Sequence, residues 1–228
     1  MRPISEERGG FTLIELLVVI AIIAGVTAVL IGGLRSNKAA ALQNGQATVA
    51  NLLTAARTKA AASGCRVRVL IHADPSNPAR FRRMLVVQQE SAYKADDWTL
   101  TLSVVSLPEG IVVLPHSSRV PTGFYESSNG WRKSYGSEVL SSSSLHQSAI
   151  TAAVQSSSDE TWDRIQFTPN DTMTFGSGDV VLARAVTRQP GSYAAGESPV
   201  RAESPDSVRG VSISTYGVAA LINTRSGF

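Results

Sequence analysis

The sequence predicts an α+β fold, in which a long N-terminal helix packs on a mainly antiparallel β-sheet domain. Two patterns lead to this prediction. An apolar run without proline covers residues 11–34, and apolar residues then recur at helical spacing towards residue 60. Beyond residue 64 the pattern changes to alternation and to β-branched runs, which are typical of strands. The 228 residues allow one globular domain beyond the apolar run.

The apolar run from Phe11 to Leu34 has the length and composition of a membrane-spanning helix. About 20 such residues cross a bilayer core as a helix. The run contains one ionisable side chain, Glu15. A carboxylate at mid-depth in lipid costs on the order of 2.5–3.5 kcal/mol and is usually kept for a partner or a function. We therefore expect Glu15 to have a cationic partner.

The run itself offers no such cation, because no lysine or arginine lies between Arg8 and Arg35. The nearest candidate is a new terminal amine, made by cutting the chain before Phe11. Gly9 and Gly10 favour a cut at this place, since small flexible residues suit the extended backbone that a protease requires. Cleavage would make Phe11 the new N-terminus.

The residues around this position resemble the prepilin cleavage and methylation motif of type IV pilins and type II secretion pseudopilins. They are Gly10, Phe11, Thr12, Leu13, Ile14, Glu15 and Leu16. The resemblance implies that a membrane aspartic peptidase cuts after Gly10 and that the same enzyme N-methylates Phe11. It also implies that Glu15 meets the terminal amine of a neighbouring subunit during filament assembly. An amine and a carboxylate attract each other far more strongly in a low-dielectric setting than in water.

Other interpretations of the N-terminus stay open at this point. Glu15 lies one turn from Phe11 and could neutralise the amine of its own chain or the helix N-terminus. A secretory signal peptide has a shorter apolar core and is cut after it. A plain signal anchor fits the length but explains neither the two glycines nor Glu15. The leader also departs from the family pattern, because its two acidic residues cancel its two basic ones.

Beyond the apolar run the helix is predicted to continue as an amphipathic segment that ends at Ser63-Gly64. The apolar stripe of this segment consists of Leu42, Val49, Leu52, Leu53, Ala56 and Ala60. The predicted divisions of the chain are a leader peptide (1–10), a transmembrane and assembly helix (11–34), the amphipathic continuation (35–64) and a periplasmic β-rich domain (65–228).

Strands are predicted along the whole β-rich domain. In the first of them Arg66 and Arg68 alternate with valines, as expected of a strand with one face in water. The last two form a predicted hairpin around Tyr216-Gly217. The strands cover residues 66–72, 84–89, 99–105, 111–114, 164–167, 173–175, 180–186, 211–214 and 218–222.

Two stretches are predicted loops. Residues 136–159 are rich in serine, and residues 189–209 mix Pro, Gly, Ser, Glu and Arg without apolar periodicity. Long loops of this kind are either mobile or functional, and in a filament subunit they could make subunit-specific contacts; mobility is the simpler interpretation of both. The order of helix and strands, with the segments at 165–175 and 210–223, resembles the H-type (GspH/FimT-like) minor pseudopilins more than the major ones.

The sequence lacks the motifs of the common enzyme and metal-binding classes. His72, His116 and His146 are scattered and Cys65 is alone, so neither a metal site nor an internal disulfide is predicted. No nucleophile elbow, Walker loop or dinucleotide-binding motif occurs. We therefore expect a protein that is not an enzyme and that needs no cofactor.

The charge balance does not favour nucleic acid as a partner. The chain has 21 basic and 18 acidic residues, and its net charge of +3 is spread along the chain. The densest basic cluster is Arg80, Arg82 and Arg83. It is predicted to be the solvated edge of a hairpin loop, although exposed arginines of this kind could also track the phosphates of DNA.

The resemblance implies a structural role as a minor pseudopilin of a type II secretion system. The alternative is a minor type IV pilin that serves pilus assembly, adhesion or DNA uptake. In the first role, the protein sits in the bacterial inner membrane by one helix, with its globular domain in the periplasm, and then enters the pseudopilus. The partners implied are other major and minor pseudopilins, the prepilin peptidase, the inner-membrane assembly platform, and membrane lipid before assembly.

Overall fold

The computed structural model describes residues 13–101, 104–154 and 158–228, and the side chains of residues 15, 24–38, 128 and 129 are outside the description. Gly10 and Phe11 therefore lie outside the described residues, and Glu15 is described by its backbone alone. The chain divides into two units, residues 1–40 and residues 41–228. The helix α1, Leu13–Ser63, runs through the division.

The first unit is described as the N-terminal part of α1. Its side chains at residues 13–23 are exposed wherever they are described, and most of them are Leu, Ile or Val. Within the part of the chain that the structure describes, no helix is long and apolar enough to cross a membrane.

The second unit combines the C-terminal part of α1 with two antiparallel sheets. In the first sheet the strand order is β3-β2-β1-β7-β6, and β4 also pairs with β2. In the second sheet the order is β11-β10-β8-β5, and β9 also pairs with β8. The strands are β1 Val67–His72, β2 Met84–Glu90, β3 Trp98–Leu100, β4 Val105–Ser106, β5 Ile111–Val113, β6 Ile150–Ala152, β7 Glu160–Phe167, β8 Gly178–Thr187, β9 Val200–Ala202, β10 Val208–Ile213 and β11 Ala219–Ile222.

Every described strand pairing is antiparallel, so the predicted α+β class with a helix and antiparallel sheets is confirmed. The apolar stripe of α1 from Leu42 to Ala60 is buried at all six predicted positions, in one cluster with residues of both sheets. The helix ends as predicted, because Gly64 has a φ of 63° and its N–H donates to the carbonyl of Ala60 at 3.1 Å.

Most predicted strands are present, with shifts at their ends. The predicted hairpin near the C-terminus is confirmed, since Val211 of β10 pairs with Leu221 of β11. The predicted strand at 99–105 is instead two short strands, β3 and β4, with residues 102 and 103 between them outside the description. The predicted strand at 173–175 is reduced to a bridge between Met173 and Phe167.

The prediction of two mobile loops is wrong in part. Residues 136–159 include β6, and Ser142, which is fully buried, accepts a hydrogen bond from the N–H of Val181 at 3.0 Å. Residues 189–209 include β9, whose Val200 and Ala202 are buried. Serine-rich composition predicts a loop, but serine hydroxyls also replace a strand partner where they reach backbone groups at a sheet.

Candidate functional site

The described N-terminal turns of α1 present an apolar surface to the surroundings on every side. Leu13 is 83% exposed, Ile14 71% and Ile23 61%. Between them, 48–60% is exposed for Leu16, Leu17, Val18, Val19, Ile20 and Ile22. Successive helical residues are about 100° apart, so consecutive exposed positions cover the full circumference.

A helix that is apolar on all sides is stable only when lipid or other apolar helices cover it. At about 25 cal/mol per Å² of apolar area removed from water, covering these side chains is strongly favourable. Leucine, isoleucine and valine along 13–23 thus make this segment the candidate assembly and anchoring surface. Glu15 is the charged residue of this segment, and no side-chain contact of Glu15 is described.

The basic cluster predicted at 80–83 does not form an exposed surface. Arg82 is 2% exposed and is ion-paired with the fully buried Asp163. Arg80 lies 3.3 Å from a carboxylate oxygen of Glu160. Arg83 donates to the carbonyl of Leu107 at 3.2 Å. The prediction of a solvated edge is wrong. Glu160 and Asp163 of β7, about eighty positions further along the chain, pair with Arg80 and Arg82.

A second buried polar group lies next to this pair. The Nε2 atom of His72 is 3.5 Å from Glu160, and the ring of His72 packs edge-on against Trp162 with 4.9 Å between centroids. Burial lowers the pKa of His72, and the neighbouring Glu160 opposes this effect without overcoming it. His72 is therefore held neutral near pH 7.

The described residues contain no group of three or more His, Cys, Asp and Glu residues that could hold a metal ion. His116 and His146 line one shallow recess of about 310 Å³ together with Phe175. Cys65 is a buried free thiol. None of these arrangements joins a nucleophile to a base.

The solvated face predicted for the first strand is wrong at Arg68, whereas Arg66 just before β1 has a side chain that is 37% exposed. All six residues of β1 are buried, and Arg68 is 8% exposed. Its guanidinium lies over the indole of Trp98, 4.0 Å from the ring centroid. Alternation of arginine with valine predicts that one face of the strand is solvated. That pattern cannot show that Trp98, from another strand, covers Arg68.

Comparisons with known proteins give one match at the N-terminus and one along most of the chain. Residues 7–33 match the model of the prokaryotic N-terminal methylation motif. The N-terminal segment carries a prokaryotic N-terminal methylation motif. The match includes the predicted positions Gly10, Phe11 and Glu15.

The chain is also similar to a solved structure of the minor pseudopilin EpsH from the Type 2 Secretion System of Vibrio cholerae. The sequences are 14% identical, the alignment covers 81% of this chain and 96% of that chain, and the TM-score is 0.39. No curated protein matches the sequence.

Proposed function

We propose that the protein is a minor pseudopilin, a structural subunit of the type II secretion pseudopilus that supports protein export across the outer membrane. The observation that carries the proposal is the coincidence of the methylation motif at 7–33 with an all-round apolar helix surface at 13–23. A subunit of this kind needs such a helix twice, first in lipid and then among the helices of its neighbours.

The proposed maturation begins with the prepilin peptidase, which removes residues 1–10 by cutting between Gly10 and Phe11 and then methylates the amine of Phe11. Residues 11–34 hold the precursor in the inner membrane, and residues 65–228 lie in the periplasm. The assembly platform then moves the subunit into the pseudopilus, next to other major and minor pseudopilins.

The proposed role of Glu15 is to receive the terminal amine of a neighbouring Phe11. A lone carboxylate in an apolar helix is unfavourable, and so is a lone ammonium buried among such helices. Pairing the two groups between subunits satisfies both. The same pairing orders the subunits, because each Glu15 accepts one amine.

Intact-mass analysis of the protein extracted from cells with an active prepilin peptidase tests maturation. The expected mass corresponds to a chain beginning at Phe11 plus one methyl group. Gly10→Val should leave the full-length mass, because a branched side chain crowds the cut. A wild-type protein that still begins at Met1 would contradict the proposal.

Assembly is tested by Glu15→Leu. The variant should insert into the membrane and be cleaved like the wild type, since a charge is removed from the apolar segment and the cut lies outside it. Its incorporation into pseudopilus fractions, measured by crosslinking, should fall by orders of magnitude, because an unpaired buried ammonium costs roughly 3–5 kcal/mol. Glu15→Asp, which keeps the charge, should be intermediate.

Incorporation of Glu15→Leu at the wild-type level would contradict the intersubunit role and leave only neutralisation of the amine within one chain.

A minor type IV pilin carries the same N-terminal motif, and a deletion strain separates the two proposals. Loss of protein export with normal pili supports the pseudopilin, and loss of pili with normal export supports the alternative. For a pilin that acts in DNA uptake, Arg82 offers no exposed cation, because it is buried and paired with Asp163.

A further inference from the structure

The face of the first sheet that points away from α1 carries two arginines that have no carboxylate within ion-pair distance among the described residues. Val67 and Val69 of β1 belong to the core cluster with the helix, so Arg68 between them lies on the opposite face. In the antiparallel pairing of β1 with β7, Arg68 is opposite Gln166, and Leu70 is opposite Arg164. Arg68 and Arg164 are thus diagonal neighbours on one face, about 7–8 Å apart at their backbones.

The guanidinium of Arg68 is held rigidly but is left with free donors. Its Nε donates to Gln88 at 2.9 Å, and one face of the group stacks on Trp98 at 4.0 Å. Its terminal nitrogens form no hydrogen bond or ion pair with any residue that the structure describes. Stacking on an aromatic ring leaves the edge of a guanidinium, where its donors are, open to a ligand.

Arg164 also lies over an aromatic ring and has a donor without a hydrogen-bond partner. Its guanidinium lies over Phe175, 5.1 Å from the ring centroid, and its Nε is buried without a hydrogen-bond partner. Among the described residues, no carboxylate lies within ion-pair distance of Arg164. Burial, followed by the positive charge of Arg164, lowers the pKa of Arg68 to about 10. The two cations therefore repel each other in a partly desolvated place.

The neighbouring arginines are paired, which makes this pair distinct. Arg66, on the same strand side, is bound by Glu90 and lies 3.2 Å from Asp96. Buried charges in proteins are normally paired or hydrogen-bonded, because an uncompensated one is costly. Asp96 attracts Arg68 and Arg164 only from beyond ion-pair distance. An arginine pair that is held by aromatic rings and has no carboxylate at ion-pair distance has the composition of an anion site.

We propose that Arg68 and Arg164 form a binding site for a side-chain carboxylate of a protein partner. A carboxylate is planar and accepts two parallel hydrogen bonds from a guanidinium edge, and its two oxygens can bridge two such groups. The exposed carboxylate of Asp96 lies 3.2 Å from Arg66 and also acts electrostatically on Arg68 and Arg164. Its negative charge repels the many phosphates of a nucleic acid more strongly than it repels one carboxylate, so a single carboxylate fits better than a nucleic-acid backbone.

Nuclear magnetic resonance on the full chain in neutral detergent tests this site, with the arginine Nε–H groups and the indole N–H of Trp98 as reporters. The probe is a blocked Gly-Ser-Glu-Ser-Gly peptide, and the matched control peptide carries Gln in place of Glu. The glutamate peptide should shift the signals of Arg68, Arg164 and Trp98 saturably, and the glutamine peptide should not. Arg68→Gln and Arg164→Gln should each weaken binding about tenfold or more.

Arg201→Gln is the control variant, because Arg201 is exposed and already lies 3.6 Å from Glu126; it should bind like the wild type. If Arg68→Gln loses its fold, as its melting curve would show, Arg164→Gln decides. Equal shifts by both peptides, or no saturation by the glutamate peptide at low salt, would overturn the proposal. Inorganic phosphate or oligothymidine that binds through these arginines where the glutamate peptide does not would overturn it as well.

Discussion

At the scale of single residues, the domain keeps several ionisable groups away from water. His72 is fully buried between Trp162 and Glu160 on the same face of the first sheet as Arg68. Its ring supplies packing against the indole, and burial disfavours its charged form. A buried base of this kind connects the stability of the domain to pH.

The sign of this dependence follows from the lowered pKa of His72 in the folded protein. Below about pH 6.5, the usual pKa of histidine, the unfolded chain takes up a proton that the folded chain resists. The free energy of unfolding should therefore fall as the pH decreases from 7 through 6.5 towards the folded pKa. Urea unfolding at a series of pH values measures it.

His72→Phe is the variant for this measurement, since it keeps a ring against Trp162 and removes the titration. We expect a flatter dependence between pH 7 and 5 in the variant than in the wild type. Identical slopes would mean that His72 does not drive the change.

At the scale of elements, one side chain of α1 joins the helix to the C-terminal hairpin. Gln46 is 2% exposed, and its Nε2 donates at 2.8 Å to the carbonyl of Gly210 and at 2.8 Å to that of Ile222. These carbonyls belong to β10 and β11, which also pair with each other. Without Gln46, both acceptors would lose a partner in a place from which water is largely excluded.

We expect Gln46→Ala to lower the free energy of unfolding by about 1–3 kcal/mol, because buried acceptors are left unsatisfied. Gln43→Ala is the matched control, since Gln43 is exposed on the same helix and alanine favours the helix. It should change stability by less than about 0.5 kcal/mol. Denaturant melts of the two variants make the comparison, and equal losses would show that the two hydrogen bonds of Gln46 contribute nothing beyond the replacement of a glutamine in α1.

At the scale of the whole molecule, the chain has two parts with different requirements. Residues 41–228 contain both sheets and the buried stripe of α1. The part of α1 before them exposes the apolar side chains of residues 13–23. One part makes its own core, whereas the other needs lipid or neighbouring helices.

A fragment comprising residues 41–228 should therefore fold as a soluble monomer with a cooperative thermal transition, because its apolar stripe is covered within the fragment. Circular dichroism and sedimentation would follow it. The full chain should need detergent under the same conditions. An unfolded or aggregated fragment would show that the domain depends on the N-terminal part of the helix.

The sequence by itself predicted those elements that depend on interactions between residues close together in the chain. The stripe from Leu42 to Ala60, the helix end at Gly64 and the hairpin of β10 and β11 are all as predicted. Each depends on spacing within one or two turns, or on a tight turn between adjacent strands. The methylation motif was also readable, since it is contiguous, and the match at 7–33 agrees with it. The roles of Gly10, Phe11 and Glu15 stay predictions.

Only the tertiary structure decided the fate of the charged side chains. Arg82 reaches Asp163, which is 81 positions away in the chain, and Trp98 covers Arg68 from a different strand. In the same way, the hydroxyl of Ser142 accepts a hydrogen bond from the N–H of Val181 in β8, 39 positions further along the chain. Burial of a charge depends on a partner brought by the fold rather than on its neighbours in sequence. For this reason the sequence predicted solvated arginines where the structure has buried ones.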